Sequence, residues 1–293
     1  MKLIKKINQK ISIIHNMKQY YFISGFPRSG STLLSGILKQ NPDFYADIGS
    51  SLEALTETSI DTITSGQHNL TITEDQRKNL MYGIFDGYYK HIVKPVIFDS
   101  SRGWTKKTPF LKALFPYTKI LCPVRDIVSI LNSFELIASK NPFHTTTLTA
   151  HKDNVFARCD GMMDKNGGIV AGPWILLQEG YAMNPEMIML IEYDNLCKTP
   201  EKTMRKVYEF LERPYYSHDF ENVEYSNENF DKSCNLKDLH TVKKKVEYNP
   251  PRCILPPEIV QKYNEMNMEF WKEGYKINVD IIEKLDKKFI EYK

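Results

Sequence analysis

The chain has 293 residues, 42% of them hydrophobic, and a net charge of +3. Its length and apolar content suit one large α/β domain. The small charge excess excludes a nucleic-acid binder by bulk charge. Five scattered cysteines with no CxxC or Cys/His spacing exclude a zinc site and fit reduced thiols in a cytoplasmic setting. Residues 1–18 alternate Lys with Ile and lack a long apolar core, so they read as an N-terminal extension, neither signal peptide nor membrane span. No Pro/Gly/Ser-rich linker or low-complexity stretch divides residues 19–293, which read as a single domain.

The predicted elements alternate strand and helix. A strand at Tyr20–Ser24 leads through a glycine-bounded loop into a helix from about Gly30 to Gln40, stopped at Asn41-Pro42-Asp43. Residues 50–92 read as polar helices with turns at Ser65-Gly66 and near Gly83. A short strand at Val96–Asp99 precedes a helix opened by Lys107-Thr108-Pro109 and running to about Phe115. The strand Lys119–Val124 ends at Arg125-Asp126, and a helix follows from about Ile127 to Ser139. Residues 141–168 read as a loop, Val170–Met183 as a long apolar helix, Glu186–Glu192 as a buried strand and Asp194–Cys197 as a helical turn. An amphipathic helix at Pro200–Leu211, an irregular charged stretch at 212–256, and helices at Pro257–Trp271 and about Val279–Ile290 complete the chain. Short apolar runs, each followed by a helix, predict a parallel sheet with helices on both faces and a helical C-terminal part. Ligands in such sheets bind at the carboxyl ends of the strands, where the loop, Asp99 and Arg125 fall.

The loop reads Gly25-Phe26-Pro27-Arg28-Ser29-Gly30-Ser31-Thr32. A strand, a glycine-bounded loop and a helix N-terminus converge backbone N–H groups on a phosphate or sulfate. Gly25 and Gly30 have the spacing of an NTP-binding P-loop, but that motif then requires Lys followed by Ser/Thr. Here Ser31 takes the Lys position and the cation is Arg28, inside the loop. A second motif begins at Arg125 and places Ser133 eight residues later, two turns into a helix. A fork-shaped guanidinium with a hydroxyl suits a phosphate dianion.

Together the loop and the Arg125/Ser133 pair resemble those of sulfotransferases that use 3′-phosphoadenosine-5′-phosphosulfate (PAPS), especially the tyrosylprotein and bacterial types. The resemblance covers residues 20–40 and 96–215 and implies a P-loop-type α/β fold. It implies that Pro27, Arg28, Ser29, Gly30, Ser31 and Thr32 grip the 5′-phosphosulfate and that Arg125 and Ser133 hold the 3′-phosphate. Lys107, in Lys106-Lys107-Thr108-Pro109-Phe110, matches a Lys-x-Pro-Phe stretch whose Lys stabilises the transferring sulfuryl group. Tyr193, in Glu192-Tyr193-Asp194-Asn195-Leu196, matches a Tyr near the adenine. Lys243, Lys244 and Lys245 could form the basic loop that closes the cofactor site, or simply a solvated face.

The implied activity is metal-independent, in-line transfer of a sulfuryl group from PAPS to an acceptor, above all a hydroxyl, leaving 3′-phosphoadenosine-5′-phosphate (PAP). The acceptor would be a small molecule, glycan or peptide. Arg cannot readily lose a proton, so Arg28 serves as an electrostatic clamp. An acceptor hydroxyl also needs a general base. The tyrosylprotein-type Glu would fall near Gly49, leaving Glu53 as the nearest Glu and Asp47 as second choice. Cytosolic members use a His, for which His144 or His151 are candidates. A dimerisation motif of cytosolic members is nearly met at Lys237 and Thr241-Val242, with Glu247 one residue late, which leaves a homodimer open. Two alternatives stand beside this reading. One is a P-loop kinase or NTPase with Asp99 on the metal; the other is a non-catalytic binder of PAPS or polyanions.

Overall fold

The computed structural model describes residues 18–141, 154–225, 231, 240, 242, 245–266 and 268–272. Five parallel strands form one sheet: β1 (Gln19–Ile23), β2 (Phe44–Ala46), β3 (Val96–Ser100), β4 (Ile120–Val124) and β5 (Ile188–Glu192), in the order β2-β3-β1-β4-β5. β1 pairs with β3 along its whole length, from Gln19 opposite Val96 to Ile23 opposite Ser100. Its pairing with β4 is shorter, Phe22 with Ile120 and Ile23 with Leu121.

Strand side chains alternate between two faces, and both faces are buried. Tyr20, Phe22, Ile97, Ile120, Cys122, Ile188 and Leu190 belong to one core. Helices α4 (Glu74–Tyr88), α5 (Thr108–Leu114), α6 (Ile127–Lys140) and α8 (Ala171–Met183) contribute to it through residues such as Phe85, Leu111, Ile130 and Leu177. Tyr21, Ile23, Phe44, Phe98, Leu121, Met189 and Ile191 form the other core. It is covered by α1 (Ser31–Leu38), α9 (Tyr193–Lys198) and α10 (Pro200–Phe210) through Leu34, Ile37, Leu196, Met204 and Val207. This double burial explains why the strands read as continuous apolar runs.

Three features depart from the sequence expectations. β2 is a three-residue strand at the sheet edge, too short to show a period. No turn occurs at Gly83: α4 runs unbroken, started by a Thr73/Gln76 capping box and held by buried Met81 and Phe85. That burial overrides a glycine cost of about 1 kcal/mol. The stretch 141–168 contains α7 (Val155–Met162), capped by the Asn154 side chain. Helix α2 (Leu52–Thr64), the short α3 (His68–Thr71) and α11 (Pro257–Glu265) complete the helices used below. The helix expected at about 279–290 lies outside the described residues.

The strand order places the carboxyl ends of β1 and β4 side by side, where the chain reverses its direction of winding across the sheet. Such a switch point opens a crevice for ligands. The 25–30 loop follows β1 and Arg125 follows β4. No helix among the described residues is long and apolar enough to cross a membrane.

Candidate active site

The 25–30 loop is tied down at its base by Pro123 of β4. Phe26 N–H donates to the Pro123 carbonyl at 3.0 Å. The Ser29 hydroxyl donates to the carbonyls of Phe26 (2.6 Å) and Pro123 (2.8 Å). Ser29 is fully buried and Pro27 is buried beside it, and the Ser29 hydroxyl holds the loop from below rather than facing a ligand. Arg28 and Gly30 both adopt left-handed backbone, with φ of 58° and 94°. The non-glycine residue there costs about 1–3 kcal/mol, a strain typical of ligand-gripping loops. A Cβ on Gly30 would lie 2.7 Å from Cδ2 of Tyr193. No side chain caps the N-terminus of α1, where Ser31 and Thr32 begin the helix half-buried. Its first N–H groups therefore face the loop with the positive end of the helix dipole.

Arg28, Arg125, Ser133 and Tyr193 meet beside this loop although they come from three parts of the chain. Arg28 donates through Nε to Ser133 Oγ at 3.0 Å. Arg125 donates through Nη1 to the Arg28 carbonyl at 3.1 Å. The Arg125 guanidinium stacks 4.2 Å from the ring centroid of Tyr193. Burial, followed by the neighbouring Arg125 charge, disfavours the charged form of Arg28. Burial also pushes the Tyr193 phenol up to about 12, so it stays a neutral donor. Nε of Arg125 is buried without a hydrogen-bond partner among the described residues. Two adjacent, partly desolvated guanidiniums with an orphaned N–H fit a multiply charged anion, which would relieve their repulsion and satisfy the donor.

Lys107 ends a tight turn, Trp104–Lys107, after β3. Trp104 Nε1 donates to Asp99 at 2.6 Å, and Thr105 N–H donates to the Ser24 hydroxyl at 3.3 Å. Asp99 also accepts from the Tyr89 hydroxyl at 2.5 Å and is fully buried. Its carboxylate is therefore a girder beneath the turn. These partners occupy the carboxylate that the kinase or NTPase alternative would place on a metal. Lys107 lies 3.6 Å from both Glu53 and Glu57, and Lys106 lies 2.6 Å from Glu57. Glu53, on α2, is thus the ion-pair partner of Lys107.

Other candidates are placed differently. Asp47 accepts from the Ile48 N–H at 2.9 Å and from the hydroxyls of Tyr225 and Tyr45, so it braces β2 instead of acting as a base. Lys245 is exposed and pairs with Glu221 at 2.9 Å, the ordinary behaviour of a solvated face. Lys243, Lys244, His144 and His151 lie outside the described residues.

A cavity of about 270 Å³ opens at the same strand ends, lined by Gly25, Ser31, Gly49, Ser101, Arg102 and His240 among others. His240 was not singled out by its sequence, which reads there as a basic patch. Its Nδ1 lies 2.6 Å from Asp231, and its backbone N–H donates to the same carboxylate at 3.1 Å. Eight intervening residues without periodicity give no signal for this pairing.

Comparison with known proteins adds to this geometry. A sequence model of the sulfotransferase family matches residues 21–217, a span that contains Arg28, Glu53, Lys107, Arg125, Ser133 and Tyr193 and stops short of Asp231 and His240. Protein-tyrosine sulfotransferase A of Caenorhabditis elegans is 24% identical over 211 residues, 67% of this chain and 50% of that protein. The chain spans about half the length of that curated relative. The sulfotransferase domain of the Synechococcus PCC 7002 olefin synthase shares the fold, with a TM-score of 0.50 and 16% identity over 86% of this chain and 96% of that domain. Mouse sulfotransferase SULT7A1, solved in complex with PAP, aligns with a TM-score of 0.47 and 13% identity over 89% of this chain and 88% of its own.

Proposed function

The chain belongs to the sulfotransferase family, and from that premise we propose that it moves a sulfuryl group from PAPS to an acceptor hydroxyl by metal-independent, in-line transfer. The observation that carries this reading is the meeting of Arg28 and Arg125 with Ser133 at the uncapped N-terminus of α1. Two forked cations, a hydroxyl and helix N–H groups suit a ligand with anionic groups at two places.

PAPS, when bound, supplies an activated sulfuryl group on a phosphate leaving group. Arg125 and Ser133 would hold its 3′-phosphate, with the Tyr193 ring fixing the guanidinium plane. Arg28, Ser31, Thr32 and the loop N–H groups would hold the 5′ end. Lys107 would face the charge on the transferring oxygens, with Glu53 and Glu57 fixing its ammonium. Catalysis by fixed cations and N–H groups is mainly positioning and electrostatic stabilisation. The acceptor would be a small molecule, glycan or peptide. A single domain over residues 19–293 and a cytoplasmic location go with this reading, the latter because Cys122, Cys159, Cys197 and Cys253 are free thiols.

Calorimetric titration with PAP, beside AMP and ATP with and without Mg²⁺, tests the proposal. Binding that needs both the 3′-phosphate and Arg125 is expected. Equal affinity for AMP, or binding of Mg-ATP alone, would overturn it.

A further inference from the structure

The cavity beside the 25–30 loop holds a second chemical feature, which lies beyond the span matched by the family. His240 lines this cavity together with Gly25 and Ser31, so its imidazole and the anion-gripping loop share one space. Asp231 is 5% exposed and engages both the ring nitrogen Nδ1 and the backbone N–H of His240. A buried carboxylate on Nδ1 favours the tautomer with the proton on that nitrogen, leaving the lone pair on Nε2. It also stabilises the imidazolium formed when Nε2 takes a proton. Nearby, Val242 N–H donates to the Tyr225 carbonyl at 3.0 Å, and the Tyr225 hydroxyl bonds Asp47 just after β2.

We infer that His240 is the general base for the acceptor hydroxyl and that Asp231 is its positioning residue. This assignment rests on the sulfuryl-transfer reading. In the step it serves, the acceptor oxygen bonds to sulfur as its proton passes to Nε2 of His240. The bond from sulfur to the bridging oxygen breaks, and its electron pair leaves with the 5′-phosphate of PAP. Burial holds the imidazole below its ordinary value, against the opposite pull of Asp231, so the ring is neutral and ready to accept at pH 7. The charged groups that face it are Asp231, Arg28 and Arg102. Glu53, the alternative, is paired with Lys107 and suits the holding of that cation.

The test compares wild type, His240→Gln and Asp231→Asn, using labelled PAPS. Acceptors are water, a tyrosine-like phenol with a pKa of about 10, and 4-nitrophenol at a pH where it is already ionised. PAP affinity, measured in parallel, should stay within about twofold and reports that each variant is folded. A general base is needed only where a proton must leave. His240→Gln should therefore slow transfer to water and the weakly acidic phenol by about 10²-fold or more, and transfer to nitrophenolate little. Asp231→Asn should show the same graded pattern with a smaller loss. Unchanged rates for all acceptors, or an equal loss for all, would overturn the assignment while leaving sulfuryl transfer intact. Wild type that neither binds PAP nor turns over PAPS with any acceptor would overturn the sulfuryl-transfer reading, and the role of His240 with it.

Discussion

The guanidinium of Arg125 lies 4.2 Å over the ring of Tyr193, and that ring also packs against Gly30. One aromatic side chain at the end of β5 thus fixes both the cation at the end of β4 and the turn that follows β1. The loop and the Arg125/Ser133 pair act as one site because of this shared wall. Burial of the ring adds rigidity, and the cation–π contact contributes about 0.5–2 kcal/mol.

Arg125→Ala should lower PAP affinity by about 2–4 kcal/mol, or roughly 30- to 700-fold, since a buried charge-assisted contact is lost. Arg125→Lys should recover only part, because an ammonium neither stacks on Tyr193 nor donates as a fork. Affinity for AMP should change little in either variant. Titration calorimetry with the two nucleotides checks this, and an equal loss for AMP would show that Arg125 reads something other than the 3′-phosphate.

Gly30→Ala meets two obstacles: a φ of 94° and a methyl 2.7 Å from Tyr193. We expect a destabilisation of about 1–3 kcal/mol in urea unfolding, with weakened PAP binding. Adding Tyr193→Ala should relieve the steric part, so the double variant should lose less than the sum of the two singles. Strict additivity would show that backbone strain alone sets the cost.

Much of the site is legible before the fold is seen, for physical reasons. Gly25, Gly30 and the helix start are adjacent in sequence because an anion loop is a local structure. Arg125 and Ser133 are linked by helical spacing. The Arg28–Ser133 hydrogen bond spans 105 residues and depends on β1 lying beside β4, which no local pattern encodes. Ser29 reads as one of the loop residues around the ligand, and only the fold shows its hydroxyl turned inward onto Pro123. Asp231 and His240 meet through an irregular segment, where neither a 3.6 nor a 2.0 period guides the eye.

Asp99 supports the turn that delivers Lys107, and burial pushes its carboxyl above the ordinary range, against the opposing bonds from Tyr89 and Trp104. The folded state then keeps the Asp99 proton at pH values where the unfolded chain has lost it. This contribution to stability falls as pH rises from about 4 through the raised value. Asp99→Asn removes that slope, so the variant should gain stability relative to wild type as pH increases. Asp99→Ala should cost about 2–4 kcal/mol by orphaning two buried donors. Denaturant unfolding over a pH series checks both, and a difference between wild type and Asp99→Asn that is flat with pH would show that Asp99 is not a buried titrating group.

His218 gives the opposite slope. It is 8% exposed, its Nε2 lies 3.1 Å from the Tyr208 hydroxyl, and the rings of Tyr215, Tyr216 and Phe220 pack around it. Burial lowers its pKa to about 4. As pH falls below about 6.5, the unfolded chain binds a proton that the folded chain refuses, so stability is lost between about 6.5 and 4. Between pH 7.5 and 5 this amounts to about 1–2 kcal/mol. His218→Gln, which keeps a hydrogen-bonding group near Tyr208 but does not titrate, should be weaker than wild type at pH 7.5 and lose less on acidification. Its unfolding midpoint should approach that of wild type near pH 5. An acid loss as large in the variant as in wild type would place the responsible titration elsewhere in the chain.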